Sequence, residues 1–516
     1  MSLSAAPVHP VLFALAAPLP LYASNWQGVA TLDLWLAQGL TVLGALALQA
    51  IAFALLRDAR RAAFAASVGV LLFFAFQPVF GIWPQDSVSG QPRAAGLLFA
   101  SWALFWVCMM ALAGRIRARV VGLTQAVNAA AAAALVVPLA TLGPAWFDAR
   151  RAQGPETGTL ERYSTDRPRP DIYYIVLDGY GRSDRLEEYF GYDNSAFTAA
   201  LAERGFHVAE DAFANYAHTY LSLASALNLD YVQALQTELN AGRIDQGLLK
   251  TWIRDARVPH LLRQIGYRVV AFPSSFAATN WQDAEVFIDS AAALGEFHEA
   301  LLLRTPIPDF VDFATGEGLY DWHRERLRHV LTQLGEVPRE HQTPDAPLFV
   351  FAHILAPHPP FVFASDGSPV APARPMVYWD GDEYYASGGS REEYLRGYPE
   401  QLRFVNDAIL RAVDAIIATS PDPPVIVLQG DHGSGIGLRH DVRARTDVRE
   451  RFPTLLALRA PSLSDEARRA TRTPVNVFRT LLRELFGARL APLPDRAYNS
   501  DWNDAERFDD VTALID

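Results

Sequence analysis

Lysine is nearly absent from this chain: of 45 basic residues only Lys250 is a lysine. A skew that uniform reflects coding bias more than a physical requirement. Cysteine is equally scarce. The single Cys108 lies in an apolar stretch, so the polar remainder has no disulfide and no thiol chemistry, and its stability must come from a large core. Positive charge is short as well. The net charge is −12 and no basic stripe appears, which excludes a nucleic-acid partner. The opening Met1 to Pro10 carries no Lys or Arg, and so lacks the basic start of a cleavable signal. No internal repeat is present.

What the chain has is long apolar runs, all in residues 1–147. Leu32 to Leu56, Ala62 to Trp83, Ala94 to Ala113 and Val120 to Leu142 each reach the roughly 20 residues needed to cross a bilayer. A shorter fifth run, His9 to Ala23, is interrupted by Pro18 and Pro20. Together they predict an N-terminal transmembrane helix bundle of about five spans. Arg57, Arg60 and Arg61 follow one span, and Arg115, Arg117 and Arg119 another, whereas Pro84 to Arg93 holds a single arginine. The positive-inside rule puts both arginine-rich loops in the cytoplasm. The chain then leaves its last span on the outer side of the inner membrane, and everything beyond is extracytoplasmic.

Residues 148–170 are polar and rich in Gly and Pro, the pattern of a linker. From 171 to 516 strand-like runs (Ile172–Leu177, Tyr267–Phe272, Leu348–His353, Val425–Gln429, Pro453–Leu458) alternate with helical periodicity (Ser195–Arg204, Leu221–Leu229, Pro399–Ala418, Val475–Phe486). That alternation predicts a three-layer α/β sandwich on a mostly parallel sheet. The aromatic-rich stretch Phe361 to Tyr398 is expected to be a loop, either a lid or a surface insertion.

Two of the predicted strands end on acids. Ile172–Leu177 runs into Asp178, and Val425–Gln429 into Gly430-Asp431-His432-Gly433. A buried parallel strand delivers its last residues to the crevice at its C-terminal end. Carboxylate oxygen and imidazole nitrogen arriving there together suit a divalent cation. Asp178 alone has a plainer reading, as a cap for the following helix. A hydroxyl nucleophile is also at hand. Thr219 opens an apolar helix after the turn Asn215–His218, where free N–H groups favour an anion, in competition with Ser222, Ser225 and Thr198. His353 ends a strand, His358 sits in a proline-rich turn, and His440 follows His432 in a glycine-rich loop; these three are candidate partners. His207, His218, His260 and His341 read as structural.

These segments resemble the alkaline phosphatase/sulfatase superfamily, and within it the membrane-anchored lipid A phosphoethanolamine transferases and lipoteichoic acid synthases. The resemblance rests on Asp178 to Asp184 with Arg182, on Thr219-x-x-Ser222, on His353 to Phe361, on Phe404 to Leu410, on Asp431 to Gly433 with His440, and on Arg451 to Leu456 and Pro474 to Phe478. It implies one divalent cation, zinc or manganese, held by Asp178, Thr219, Asp431 and His432. It implies further that Thr219 attacks phosphorus, and that His358, His440 and His353 bind phosphate, protonate the leaving group or hold a second, weaker metal. Arg182 either pairs with phosphate or forms a structural salt bridge.

Three departures bear on the substrate. Asp178 stands where those transferases and synthases have Glu; Thr219 is outside the Cys/Ser-x-Pro-Ser-Arg frame that type I sulfatases convert; the transferases' disulfides are missing. The expected function is a membrane-anchored metal-dependent hydrolase or transferase acting on a phosphodiester, phospholipid or envelope glycan. The alternatives are a sulfate-ester hydrolase and a catalytically silent envelope-assembly protein. The lipid bilayer is an expected partner; oligomeric state is not legible.

Overall fold

The computed structural model describes residues 6–26, 29, 31–80, 92–115, 120–151, 168–290, 296–308, 310–311, 318–343, 345–370 and 376–515. Residues 152–167 of the expected linker, 84–91 of the expected outer loop, and Arg117 and Arg119 lie outside them. The chain divides into two compact units.

The first unit is helical: His9–Ala16, Leu19–Asn25, Thr31–Leu56, Ala59–Phe80, Pro92–Arg115 and Val120–Arg151, joined by Glu296–Leu302. Among the described residues three helices are long and apolar enough to cross a membrane: Thr31–Leu56, Ala59–Phe76 and Val121–Gly143. His9–Ser24 and Ala100–Leu112 are apolar but shorter. The first of these is two helices, because Pro18 and Pro20 interrupt the backbone ladder. Its first half is tied in by polar contacts: Gln38 donates to the carbonyl of Leu15 at 2.9 Å and Thr41 to that of Ala14 at 2.9 Å. Leu32, Trp35, Leu40 and Leu43 are 63–67 % exposed, an outward apolar face of the kind that lipid covers. These helices form an N-terminal membrane anchor. Phe297 and Leu301 pack with Leu19, Leu21, Leu34 and Ala37 of the same unit, a segment far away in sequence.

The second unit is built on a seven-stranded sheet: β1 (Ile172–Leu177), β2 (His207–Val208), β3 (Arg268–Ala271), β4 (Val286–Phe287), β5 (Leu348–Ile354), β6 (Val425–Gln429) and β7 (Leu456–Arg459), in spatial order β2-β7-β6-β1-β5-β3-β4. Neighbours from β6 to β4 pair in parallel, whereas β7 and β2 are antiparallel. The sheet is therefore mixed. Every residue of β1 is buried, which explains its unbroken apolar run. Ile172, Tyr174 and Val176 enter one core beneath helices Thr219–Asn228, Gln246–Arg254, Arg257–Gln264 and Pro474–Phe486. Tyr173, Ile175 and Leu177 enter the other, beneath Ser195–Glu203, Leu319–His341 and Arg391–Thr419. The three layers match expectation.

Three local expectations change. The late strand starts at Leu456, not Pro453, and runs antiparallel. Arg391–Thr419 is far longer than its predicted part and absorbs Pro399 in its interior. The stretch Phe361 to Tyr398 is not a free loop: it includes the helix Gly381–Ala386, and Phe361, Tyr384, Tyr394 and Tyr398 are buried in the second core, while Trp379 stays exposed.

Candidate metal centre and nucleophile

The strand order places β6, β1 and β5 side by side, so their C-terminal ends open on one crevice. Asp178 follows the last residue of β1, His353 lies at the end of β5, and Asp431-His432 comes one glycine after β6. The backbone stitches them together. Asp178 N donates to the carbonyl of Ile354, and His358 N to that of Asp178 at 3.1 Å. The turn after Asp178 requires Gly179, at φ +73°, whose N–H donates to Asp431 Oδ1 at 3.1 Å. Gly430 is needed for another reason: a Cβ there would lie 2.2 Å from Thr454 Oγ1 and 2.5 Å from the carbonyl of Tyr180.

One carboxylate oxygen each from Asp178 and Asp431 and one nitrogen of His432 lie within 4.8 Å of one another, and all three residues are buried. Among the described residues this is the one cluster of three such ligands. Asp178 Oδ1 and Asp431 Oδ2 are buried and accept no hydrogen bond, a costly state unless something positive completes it. His432 Nε2 stands 3.1 Å from Asp431 Oδ2 and 3.7 Å from Asp178 Oδ1. Its Nδ1 is 2.9 Å from the carbonyl of Gly433, which puts the proton on Nδ1 and leaves the Nε2 lone pair facing the carboxylates. Burial and the Arg451 guanidinium hold this imidazole neutral. A divalent ion fits the donor set. Burial would raise both carboxyls. In Asp178 the nearby His358 and the hydrogen bond from His353 reverse that and hold it low, and the charge of Asp178 then pushes Asp431 further up.

Thr219 begins the buried helix Thr219–Asn228, and its Oγ1 is 3.0 Å from His432 Nε2. Ser222, one turn on, donates instead to the carbonyl of Asp431 at 2.7 Å, and Ser225 to that of Asp230. Of the hydroxyls weighed from sequence, Thr219 is thus the one brought to the cluster. His353 Nε2 is 3.3 Å from Asp178 Oδ2, with its ring set by Thr279 Oγ1 at 2.9 Å from Nδ1. His358 Nε2 is 3.9 Å from Asp380 Oδ2. Burial would lower its pKa, but Asp178 and Asp380 outweigh burial and raise it. His440 is held elsewhere, with Nδ1 2.7 Å from Asp382 Oδ1 and its ring stacked on His218. Arg182 pairs with Asp184 through two contacts of 2.7 and 2.9 Å, the structural alternative.

Two buried residues at the site had no site role in the sequence reading: Asp380 was not singled out, and Arg451 entered only as the start of a matched segment. Asp380 accepts from Tyr394 and Gly381 at 2.9 Å each, and lies in the stretch expected to be loop. Arg451 donates to Asp380 Oδ2 (3.1 Å) and to the carbonyls of Ala217 (2.8 Å), Gly433 (3.2 Å) and Ser434 (3.2 Å). It ties the turn before Thr219 to the turn after His432. Arg451→Met would strand the Asp380 charge in the interior, so the expected cost is about 3 kcal/mol of stability, read as a lower thermal midpoint.

The sulfatase family model matches residues 170–488, and the chain belongs to the sulfatase family. Among solved structures, the periplasmic domain of EptC from Escherichia coli, in complex with zinc, is similar at 11 % identity over 68 % of this chain and 95 % of that one, with a TM-score of 0.46. The integral membrane lipooligosaccharide phosphoethanolamine transferase A from Neisseria meningitidis is similar at 14 % identity over 93 % of this chain and 95 % of its own, with a TM-score of 0.41. A phosphonate monoester hydrolase of Agrobacterium radiobacter is similar at 15 % identity over 64 % and 80 % of the two chains, with a TM-score of 0.41. No curated protein matches this chain.

Proposed function

We propose that the chain is a membrane-anchored, metal-dependent phosphoryl-ester hydrolase or transferase with Thr219 as nucleophile. Its substrate is an envelope phosphodiester, carried by a phospholipid or a glycan. The observation that carries this reading is the Thr219 hydroxyl, 3.0 Å from His432 Nε2, the same nitrogen that stands 3.1 Å from Asp431 Oδ2 and 3.7 Å from Asp178 Oδ1, two buried oxygens without a hydrogen-bond partner. Asp178, Asp431, His432 and Thr219 would hold the ion, and their mixed oxygen and nitrogen set suits zinc or manganese. Bound there, a divalent ion lowers the pKa of an adjacent hydroxyl and offsets charge on phosphoryl oxygens.

The chain's own residues supply the rest. Thr219 Oγ1 gives up its proton to solvent and forms the new bond to phosphorus as the bond from phosphorus to the ester oxygen breaks. His358, whose pKa is raised, carries the proton that the departing oxygen takes up. His353, oriented by Thr279, faces Asp178 and keeps that carboxylate turned to the crevice. A second acceptor, water or a sugar hydroxyl, then passes its proton to the emptied His358 and attacks phosphorus, and the Thr219 oxygen leaves and regains a proton from solvent. His440, bonded to Asp382 beside His218, would serve the outer part of the substrate.

A panel of p-nitrophenyl phosphodiester, phosphomonoester and sulfate ester, given to the purified full-length protein with zinc or manganese, tests the reading. The diester should turn over fastest. Preference for the sulfate ester would return the chain to sulfate chemistry, and inertness toward all three would favour the assembly role.

In the membrane we propose about five spans, with both arginine-rich loops in the cytoplasm and residues from Asp148 onward outside. A reporter that works only outside the cytoplasmic membrane, fused after Asp516, should be active; activity of a cytoplasm-only reporter there would reverse the orientation.

A further inference from the structure

Residues 498–503 run between the turn that precedes Thr219 and the loop that carries His440, and bond to both. They lie past residue 488, the last that the sulfatase family model matches. Successive residues of an extended chain face opposite ways, so one stretch serves two neighbours. On one side Tyr498 N donates to the carbonyl of Asn215 at 2.9 Å, and the His218 ring donates through Nε2 to the carbonyl of Ser500 at 3.1 Å. On the other side Asn499 Nδ2 donates to the carbonyl of Arg443 at 3.0 Å, and Asp501 accepts from Arg443 N and Nη1 at 2.6 Å each. Asn503 donates to Asp441 through N and Nδ2, at 3.1 and 2.8 Å. Trp502 N donates to the carbonyl of His440 itself at 2.6 Å. Its indole stands edge-on to both imidazoles, 5.2 Å from His218 and 5.7 Å from His440, which stack on each other at 6.1 Å.

We infer that residues 498–503 are a positioning strap, which fixes His440 relative to Thr219 and so sets where the outer part of a substrate is seated. The inference rests on the phosphoryl-transfer reading for what His440 and Thr219 do, but not for the contacts that hold them. The loop after His440 has little burial of its own: Asp441 and Val442 are exposed, and none of Arg443–Arg445 is buried. Hydrogen bonds, not core packing, therefore decide where that loop lies. Thr219 is reached through its neighbour His218, whose ring the strap holds from the same side as it holds His440.

The test uses the full-length protein and the Asn503–Asp441 pair. Asn503→Asp sets two carboxylates at hydrogen-bonding distance, which repel and release the His440 loop while the side toward Thr219 stays bonded. Adding Asp441→Asn exchanges the two groups and should restore the loop. Release is read without turnover, as the rate at which diethyl pyrocarbonate modifies the buried His440, followed by peptide mass spectrometry. That rate should rise about tenfold in Asn503→Asp and return to the wild-type value in the exchanged pair. With the p-nitrophenyl diester, KM should rise about tenfold and kcat stay within about twofold, because the seat of the substrate is lost while Thr219 and the ion are not. A strap that only supports the fold would lower the thermal midpoint and the active fraction, and so the apparent kcat, with KM unchanged. That result, or an unchanged His440 rate, would overturn the inference. Should Asn503→Asp fail to fold, Asn503→Ala, which deletes only the side-chain bond, takes its place; if neither folds, the segment belongs to the core and the inference falls. A wild type inert toward the diester sinks the phosphoryl reading alone, and the strap then stands or falls by the His440 rate.

Discussion

Thr219→Ala should lower the turnover of a phosphodiester at least about a thousandfold, some 4 kcal/mol of barrier, because the covalent route disappears with the hydroxyl. The fold should survive. The lost side chain makes one hydrogen bond, to His432, so the stability cost is about 1 kcal/mol. Wild type quenched without an acceptor should carry a phosphoryl group on the peptide containing Thr219, and the variant none. Ser222→Ala separates position from proximity. It removes the donor to the Asp431 carbonyl and should cost stability while sparing most turnover. Near-normal activity of Thr219→Ala would show that water attacks phosphorus directly.

Asp431→Asn should abolish activity and yet stabilise the metal-free protein. Asn keeps an acceptor for the Gly179 N–H but removes one of two neighbouring buried charges. In the wild type, ion binding should stabilise the fold by about 2.7 kcal/mol at a hundredfold excess over Kd, read as a higher thermal midpoint, and the variant should lose that increment. The pH dependence has a definite sign. Asp431 is raised in the folded state, so the metal-free protein holds protons that the unfolded chain releases. Its stability falls as pH rises from about 3.8 through about 6. Asp178 is shifted the other way, and its contribution is lost only as pH falls below the ordinary carboxylate range. The difference between wild type and Asp431→Asn across the upper window therefore isolates Asp431. A full metal-dependent shift in the variant would remove Asp431 from the ligand set.

Much of the site was legible because burial leaves a one-dimensional trace. β1 is covered on both faces, so it had to be written as an unbroken apolar run, and the acid ending that run marks the crevice. The same holds for β6 and Asp431-His432. Apolar helices long enough to cross a bilayer were visible for a like reason, since length and hydropathy are local properties.

Asp380 and Arg451 had no such trace. Asp380 sits in an aromatic stretch whose rings turned out to be core, and nothing local ties it to His358 or Arg451. The short edge strand β2 and the reversed direction of β7 were also illegible, because pairing is decided by which backbone lies alongside. Which of Thr219, Ser222 and Ser225 lies at His432 was illegible for the same reason. All three hydroxyls share one helix and one composition, and only the packing of that helix against the β6 turn puts Thr219 at His432 while Ser222 bonds the carbonyl behind it. Sequence by itself determined which residue types reach the crevice, because strand ends are encoded along the chain. Tertiary structure decided which atoms meet there, because contacts between segments some two hundred residues apart depend on packing that no single stretch encodes.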